Sequence, residues 1–143
     1  MLTIRRIDTS QESNATLVSK LQAEILPSDT PADINDGYWW VVYFDNRPIG
    51  FCNLVRTIRW VDAGYLCRAG VMPAYRGLGV QKKLIRVRER MARSLGWKWL
   101  ISDTYNNPAS TNNLTACGFK MYVPTTPYAG EGTLYWRKRI GKK

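Results

Sequence analysis

The residues with the clearest chemical use stand together at Arg76-Gly77-Leu78-Gly79, followed directly by Val80-Gln81-Lys82-Lys83. Two glycines one residue apart leave the main chain without Cβ cover, so a ligand can approach the backbone closely. From Val80 onward apolar residues recur at Val80, Leu84, Val87, Met91 and Leu95, the spacing of one helix face. Before the turn, a short apolar run from Tyr65 to Val71 reads as a strand, stopped by Pro73, which cannot donate to a sheet ladder. Strand, glycine turn and helix N-terminus in that order aim unpaired N–H groups and the positive end of the helix dipole at one point. That arrangement suits a phosphate. Two other phosphate motifs are excluded: there is no GxxxxGKS/T, and Gly77-Leu78-Gly79 lacks the third glycine of a dinucleotide fingerprint.

Composition removes several other chemistries. The chain has no histidine, so His-based triads and His-ligated metals are impossible and no metal site is expected. Cys52, Cys67 and Cys117 are odd in number and far apart, which reads as buried thiols in a reducing compartment. A chain of 143 residues with 45% apolar residues is expected to form one domain over residues 1–143. No signal-like N-terminus or membrane-spanning run is visible, so a cytoplasmic location is expected. The net charge of +10 is unevenly spread: residues 1–45 hold seven acids and three bases, the remainder four acids and eighteen bases. A basic body attracts polyanions, whether a phosphorylated coenzyme or nucleic acid.

These groups must be positioned by a mixed set of elements. Leu2–Ile7 alternates as a strand, and Thr9-Ser10 is placed to cap a helix from about Gln11 to Leu26. Pro27 and Pro31 break that helix ahead of a polar loop or short second helix carrying Asp29, Asp33 and Asp36. Tyr38–Phe44 and Ile49–Ile58 read as a hairpin about Asp45-Asn46-Arg47-Pro48. The strand at Tyr65–Val71 and a long helix over Arg76–Leu95 follow, with Gly96 as its C′ residue. Then come a strand at Trp97–Ile101, a helix of about two turns between Pro108 and Cys117, and strands at Phe119–Val123 and Gly132–Arg139. The order βααβββαβαββ indicates a mixed α/β sheet. Gly141-Lys142-Lys143 reads as a frayed tail.

The wording Val71-Met-Pro-Ala-Tyr-Arg-Gly-Leu-Gly-Val80 resembles the acyl-CoA signature of the GNAT superfamily of N-acetyltransferases. Asn107-Pro-Ala-Ser-Thr-Asn-Asn-Leu-Thr-Ala-Cys-Gly-Phe119 resembles a second segment of that family, in the correct order, and the element order matches over nearly the whole chain. The resemblance implies an α/β (α+β) fold with a mostly antiparallel central sheet of about seven strands flanked by helices. A V-shaped split between strands 4 and 5 goes with it. It implies acetyl-CoA (coenzyme A) as cofactor, with Ala69, Gly70 and Val71 beside the pantetheine arm. Arg76, Gly77, Leu78, Gly79, Val80, Gln81 and Lys82 would lie at the pyrophosphate, and Asn107 and Ser110 along the coenzyme arm. One departure is Gln81, where the family has Gly or Ala; the donors there are backbone N–H groups.

The implied reaction is acetyl transfer to a primary amine, by direct attack in a ternary complex. The amine must lose a proton, the carbonyl oxygen needs a hydrogen-bond donor, and the departing thiol needs an acid nearby. Backbone donors are expected near Ala69–Val71, with Gly70 compatible with a bulge or with tight packing. Many family members place a tyrosine acid at the position matching Leu114, which cannot donate. Asp103 and Tyr105, just after the fifth strand, are the nearest polar substitutes, and catalysis is expected to rest mainly on positioning. The acceptor is expected between the first helix and Tyr38 and along Thr125–Gly132. Glu24, Asp29, Asp33 and Tyr38 there would receive a cationic small-molecule amine or a protein amine. Two further readings stand beside this one: a nucleic-acid-modifying enzyme on the same fold, and a non-catalytic coenzyme-binding module. A monomer or homodimer away from membranes is expected.

Overall fold

In the computed structural model, which describes residues 1–141, Asp45 and Asn46 adopt positive φ values of 46° and 68° and turn the chain between two strands. Short polar side chains tolerate this left-handed pair, which makes the tight turn natural to a hairpin. The strands it joins are β2 (Tyr38–Phe44) and β3 (Arg47–Arg56). Lys142 and Lys143, part of the expected tail, lie outside the described residues.

The chain forms two compact units. In the first, residues 1–55 and 67–84, β1 (Leu2–Ile7), β2, β3 and β5 (Ala69–Val71) pair antiparallel in the order β1-β2-β3-β5. The run Tyr-Trp-Trp-Val-Val-Tyr-Phe of β2 has no polar face. Accordingly Trp39 and Val41 are buried on one side and Trp40 and Val42 on the other. Helix α1 (Glu12–Ile25) lays Val18, Leu21 and Ile25 against Trp39, Val41 and Phe51, and this is the core of the unit. Its N-cap is Gln11, with no side-chain cap bond; the Asp8 carboxylate instead accepts from the Ser10 N–H at 2.9 Å and hydroxyl at 2.7 Å.

The second unit spans residues 56–66 and 85 onward. Here β4 (Ala63–Tyr65), β6 (Trp99–Thr104), β8 (Leu134–Arg139) and β7 (Lys120–Tyr122) lie in the order β4-β6-β8-β7, with only the β4–β6 pair parallel. Helix α2 (Val80–Ser94) begins in the first unit and ends in the second. At its end Gly96 N–H donates to the Arg93 carbonyl and Trp97 N–H to the Ala92 carbonyl, both at 3.0 Å, a Schellman pair closed by a left-handed Gly96. Helix α3 (Pro108–Ala116) and α2 cover one face of these strands. Thr104 meets Thr111 at 3.4 Å, and Lys138 reaches both Glu89 and the Cys117 carbonyl at 2.7 Å.

The result is a mixed α/β, mostly antiparallel fold with eight strands and three α-helices among the described residues, and with four differences from the sequence expectation. The strand expected over Tyr65–Val71 is two: Tyr65 still pairs beside Ile101, whereas Ala69–Val71 takes β3 as its partner, so one extra strand is counted. The second helix does not form; residues 27–37 remain irregular, interrupted by Pro27, Pro31 and Gly37. Strand β6 runs on to Thr104 because its pairing with β8 continues to Leu134, and α2 starts at Val80 because Arg76–Gly79 is spent on the turn. No helix among the described residues is long and apolar enough to cross a membrane.

Candidate active site

In the glycine turn the chain leaves β5 with the Met72 N–H bonded to Ile49 O at 2.8 Å, and Pro73–Tyr75 makes one 3-10 turn. The Arg76 guanidinium folds back, its Nε donating to Val71 O at 3.0 Å, and so fixes the turn against the strand end. Gly77 and Gly79 have φ values of +81° and +76°, the left-handed region that favours glycine. Nothing among the described residues lies within 4 Å of a Cβ built on either, so the turn is open above both. The first helical bond of α2 runs from Lys83 N–H to Gly79 O at 3.3 Å, which leaves the N–H groups of Val80, Gln81 and Lys82 without a helical acceptor. The first turn of α2 contains no acid, and Lys82 and Lys83 add positive charge beside it. Left-handed glycines, free amides and an acid-free helix start together fit a phosphate-bearing group such as coenzyme A.

The three residues of β5 divide by hydrogen-bond alternation. Met72 N–H bonds to Ile49 O and Asn53 N–H to Arg68 O, so Gly70, paired with Phe51, directs its own N–H into β3. Ala69 and Val71 then direct theirs away from β3, and they are the free donors of the trio. Gly70 is in register and carries no bulge: a Cβ there would meet Ile25 Cγ2 at 2.6 Å and Phe51 Cε1 at 3.1 Å, so the residue is small for packing. The irregularity lies instead at residues 66–68, between β4 and β5, where the Asn53 side chain accepts from the Arg68 N–H at 2.8 Å.

Asn107 is the N-cap of α3, its Oδ1 accepting from the Ser110 N–H at 3.1 Å. Leu114 is buried. Asp103 sits inside β6 and accepts a 2.7 Å hydrogen bond from the Tyr65 hydroxyl of β4. Tyr105 lies beyond the strand, 67% exposed, with its ring against Gly132.

The acceptor candidates are surface groups. Glu24 is exposed and lies 3.9 Å from Lys20, Asp33 accepts from the Asn35 N–H at 2.9 Å, and the Arg6 guanidinium stands 5.1 Å over the Tyr38 ring. No hydrogen bond or ion pair joins Glu24, Asp29, Asp33 and Tyr38 to one another among the described residues. Their loop is tied down elsewhere. Gln22 bonds both main-chain groups of Ala32 at 2.8 and 3.3 Å, and Arg68 donates to Thr30 O at 3.1 and 3.3 Å.

The sequence reading missed the partner of Asp103, Tyr65, and an aromatic group beside it. Tyr65, Tyr122, Tyr128 and Tyr135 meet edge to face, with Tyr128 and Tyr135 centroids 4.9 Å apart. Burial raises the pKa of Tyr122, partly offset by the Trp60 side chain and Tyr128. Burial, then the Asp103 charge, raises that of Tyr128 further. The period-two run Tyr135, Arg137, Arg139 was the signal that could have placed these residues on one face.

Comparison with curated protein sequences found no match. The chain has the fold of several solved structures at low identity. An IAA acetyltransferase from Bacillus cereus is 18% identical, with a TM-score of 0.76, over 97% of this chain and 99% of that one. The ribosomal-protein-S18-alanine N-acetyltransferase from Escherichia coli is 14% identical, with a TM-score of 0.72, over 100% and 96%. A Bacillus subtilis acetyltransferase in complex with CoA is 15% identical, with a TM-score of 0.72, over 97% and 99%. The model of the acetyltransferase (GNAT) family matches residues 5–119, four-fifths of the chain and both of its motifs up to Phe119, and on that match the chain belongs to the GNAT family of acetyltransferases.

Proposed function

We propose that the protein moves an acetyl group from acetyl-CoA to a primary amine while coenzyme and acceptor are bound together. The observation that carries this reading is the glycine turn, with left-handed Gly77 and Gly79 opening onto three unpaired amides at an acid-free helix start. Acetyl-CoA supplies the acyl group as a thioester. The chain's own residues do the rest. The amides of Gly77 to Lys82 seat the pyrophosphate, and Lys82 adds charge to it. The N–H groups of Ala69 and Val71 serve the pantetheine arm and the carbonyl oxygen. Asn107 and Ser110 at the start of α3 border the arm.

For the proton leaving the amine, Asp103 is the acceptor, oriented by the Tyr65 hydroxyl. Tyr105, exposed past the end of β6, is the second candidate. The amine itself is a small cation or a protein amine drawn to Glu24, Asp29, Asp33 and Tyr38, and the ribosomal-protein activity named for the Escherichia coli neighbour supports the protein alternative. The setting is the cytoplasm, with residues 1–143 acting as one domain, alone or as a homodimer.

Thermal shift with acetyl-CoA, followed by thiol release with a panel of amines, tests this. A hundredfold excess of ligand over Kd adds roughly 2.7 kcal/mol of stability. A clear shift with acetyl-CoA and amine-dependent thiol release are the expected results. A coenzyme shift with no amine turned over would leave binding without transfer and overturn the reading.

A further inference from the structure

A cavity of about 440 Å³ opens on the face of the β4-β6-β8-β7 strands opposite α2 and α3. Its size is that of a small-molecule site. Arg59, Trp60, Tyr122, Pro124, Tyr128 and Arg137 make its chemically distinct walls. The Arg137 guanidinium stands 5.7 Å over Trp60, 5.6 Å over Trp99 and 5.0 Å over Tyr122, and Arg59 stands 4.3 Å over Tyr128. A guanidinium held over several rings is restrained in position, and its N–H groups remain available to an oxyanion. Both arginines are exposed, and no hydrogen bond or ion pair engages either guanidinium among the described residues. By strand alternation Lys120 and Arg139 share the face, so the field around the mouth is positive.

No acidic side chain lines the cavity among the described residues. Asp103, whose charge reaches Tyr128, is taken up by the Tyr65 hydroxyl. The Tyr122 and Tyr128 hydroxyls are buried with no hydrogen-bond partner at good geometry, an arrangement a fold avoids where nothing else requires it. Raised by burial, both stay neutral, so the wall gains no negative charge from a phenolate.

We propose that this cavity binds a compact organic anion, with its carboxylate or phosphate between Arg59 and Arg137 and its apolar body against Trp60 and Pro124. Nothing in the phosphate-binding turn lines this cavity, which shares Thr125, Thr126 and Tyr128 with the stretch expected to border the acceptor; it is a second anion site, built from residues the coenzyme does not require. A cationic amine alone is disfavoured there, since it would meet two guanidiniums and no acid.

Calorimetric titration of the full chain without acetyl-CoA tests the proposal, and so stands apart from the transfer reaction. Benzoate and phenyl phosphate are expected to bind, more weakly as salt is added, and benzylamine is expected not to bind. Arg59→Gln, at an exposed loop position, should weaken phenyl phosphate at least tenfold while leaving the melting temperature and the acetyl-CoA shift unchanged. Arg137→Lys, which keeps the charge but loses the planar fork of donors, should weaken it as well. Equal binding of benzylamine, or unchanged affinity in Arg59→Gln, overturns the proposal. Inorganic phosphate binding as tightly as phenyl phosphate removes the apolar contact from it. A DNA duplex binding more tightly than phenyl phosphate, and losing that binding in Arg59→Gln, replaces the small anion with nucleic acid.

Discussion

The Tyr65 hydroxyl donates to the Asp103 carboxylate across 2.7 Å, joining the last residue of β4 to the fifth residue of β6. If Asp103 takes the amine proton, Asp103→Asn should lower kcat by a hundredfold or more with acetyl-CoA affinity unchanged, since a positioned acid or base contributes about 10²–10⁴. Tyr65→Phe, which removes only the orienting bond, should lower kcat about tenfold. Steady-state kinetics on both variants decide the matter. A loss under tenfold in Asp103→Asn assigns turnover to positioning alone.

The glycine turn makes a different prediction, because its demand is conformational. Gly79→Ala meets no clash but must hold φ near +76°, at a cost on the order of 1–2 kcal/mol. It should therefore lower the melting temperature slightly and weaken acetyl-CoA modestly. Gly79→Trp should abolish the thermal shift with acetyl-CoA while the protein remains folded by circular dichroism.

Gly70 is the opposite case. Its φ is unexceptional, but a methyl there lands 2.6 Å from Ile25 Cγ2. Gly70→Ala should destabilise by about 1–3 kcal/mol in denaturant titration, as overpacking does. In an Ile25→Ala background, which lacks the Cγ2 methyl, the added cost of Gly70→Ala should shrink, a recovery of part of the loss. No recovery would mean that Phe51 is the obstacle.

Glu89 ties α2 to β8 through Lys138 at 2.7 Å and to Arg93 at 2.9 Å. Partial burial raises its pKa, but the bonds from Lys138 and Arg93 outweigh it, and the net shift is downward from the ordinary 4.5. A carboxyl with a lowered folded pKa contributes fully above its unfolded value and loses that contribution as pH falls through the folded value. Glu89→Gln should thus cost about 1–2 kcal/mol at pH 7. The gap from wild type should narrow as pH is taken below 4.5 in equilibrium unfolding. A gap independent of pH would place the loss in packing.

What the sequence made legible was local. The glycine turn, the stop of α2 at Gly96 and the short helix between Pro108 and Cys117 each lie within a few residues and need no distant partner. The hairpin at Asp45-Asn46 follows the same rule. The missing second helix was ambiguous because residues 27–37 hold both cap-like aspartates and two prolines, and anchoring by Gln22 and Arg68 settled it as irregular chain. The strand at 65–71 looked continuous because apolar content does not report a change of partner. The aromatic cavity was invisible for a related reason. Arg59 and Trp60 come from the loop before β4 and Arg137 from β8, brought together only when β4, β6, β8 and β7 pair.

The two anchors on the loop after α1 have a consequence for how this enzyme could change its diet. Gln22 and Arg68 grip main-chain atoms of Ala32 and Thr30, so the loop's course is set by residues outside it. The exposed side chains between and beyond those grips, Asp29 and Asp33 among them, carry little of the burden of holding the loop in place. Replacing them should reshape what the rim attracts at small cost in folding. If this loop borders the acceptor as proposed, a mutational library confined to these positions would explore acceptor preference while leaving the scaffold intact.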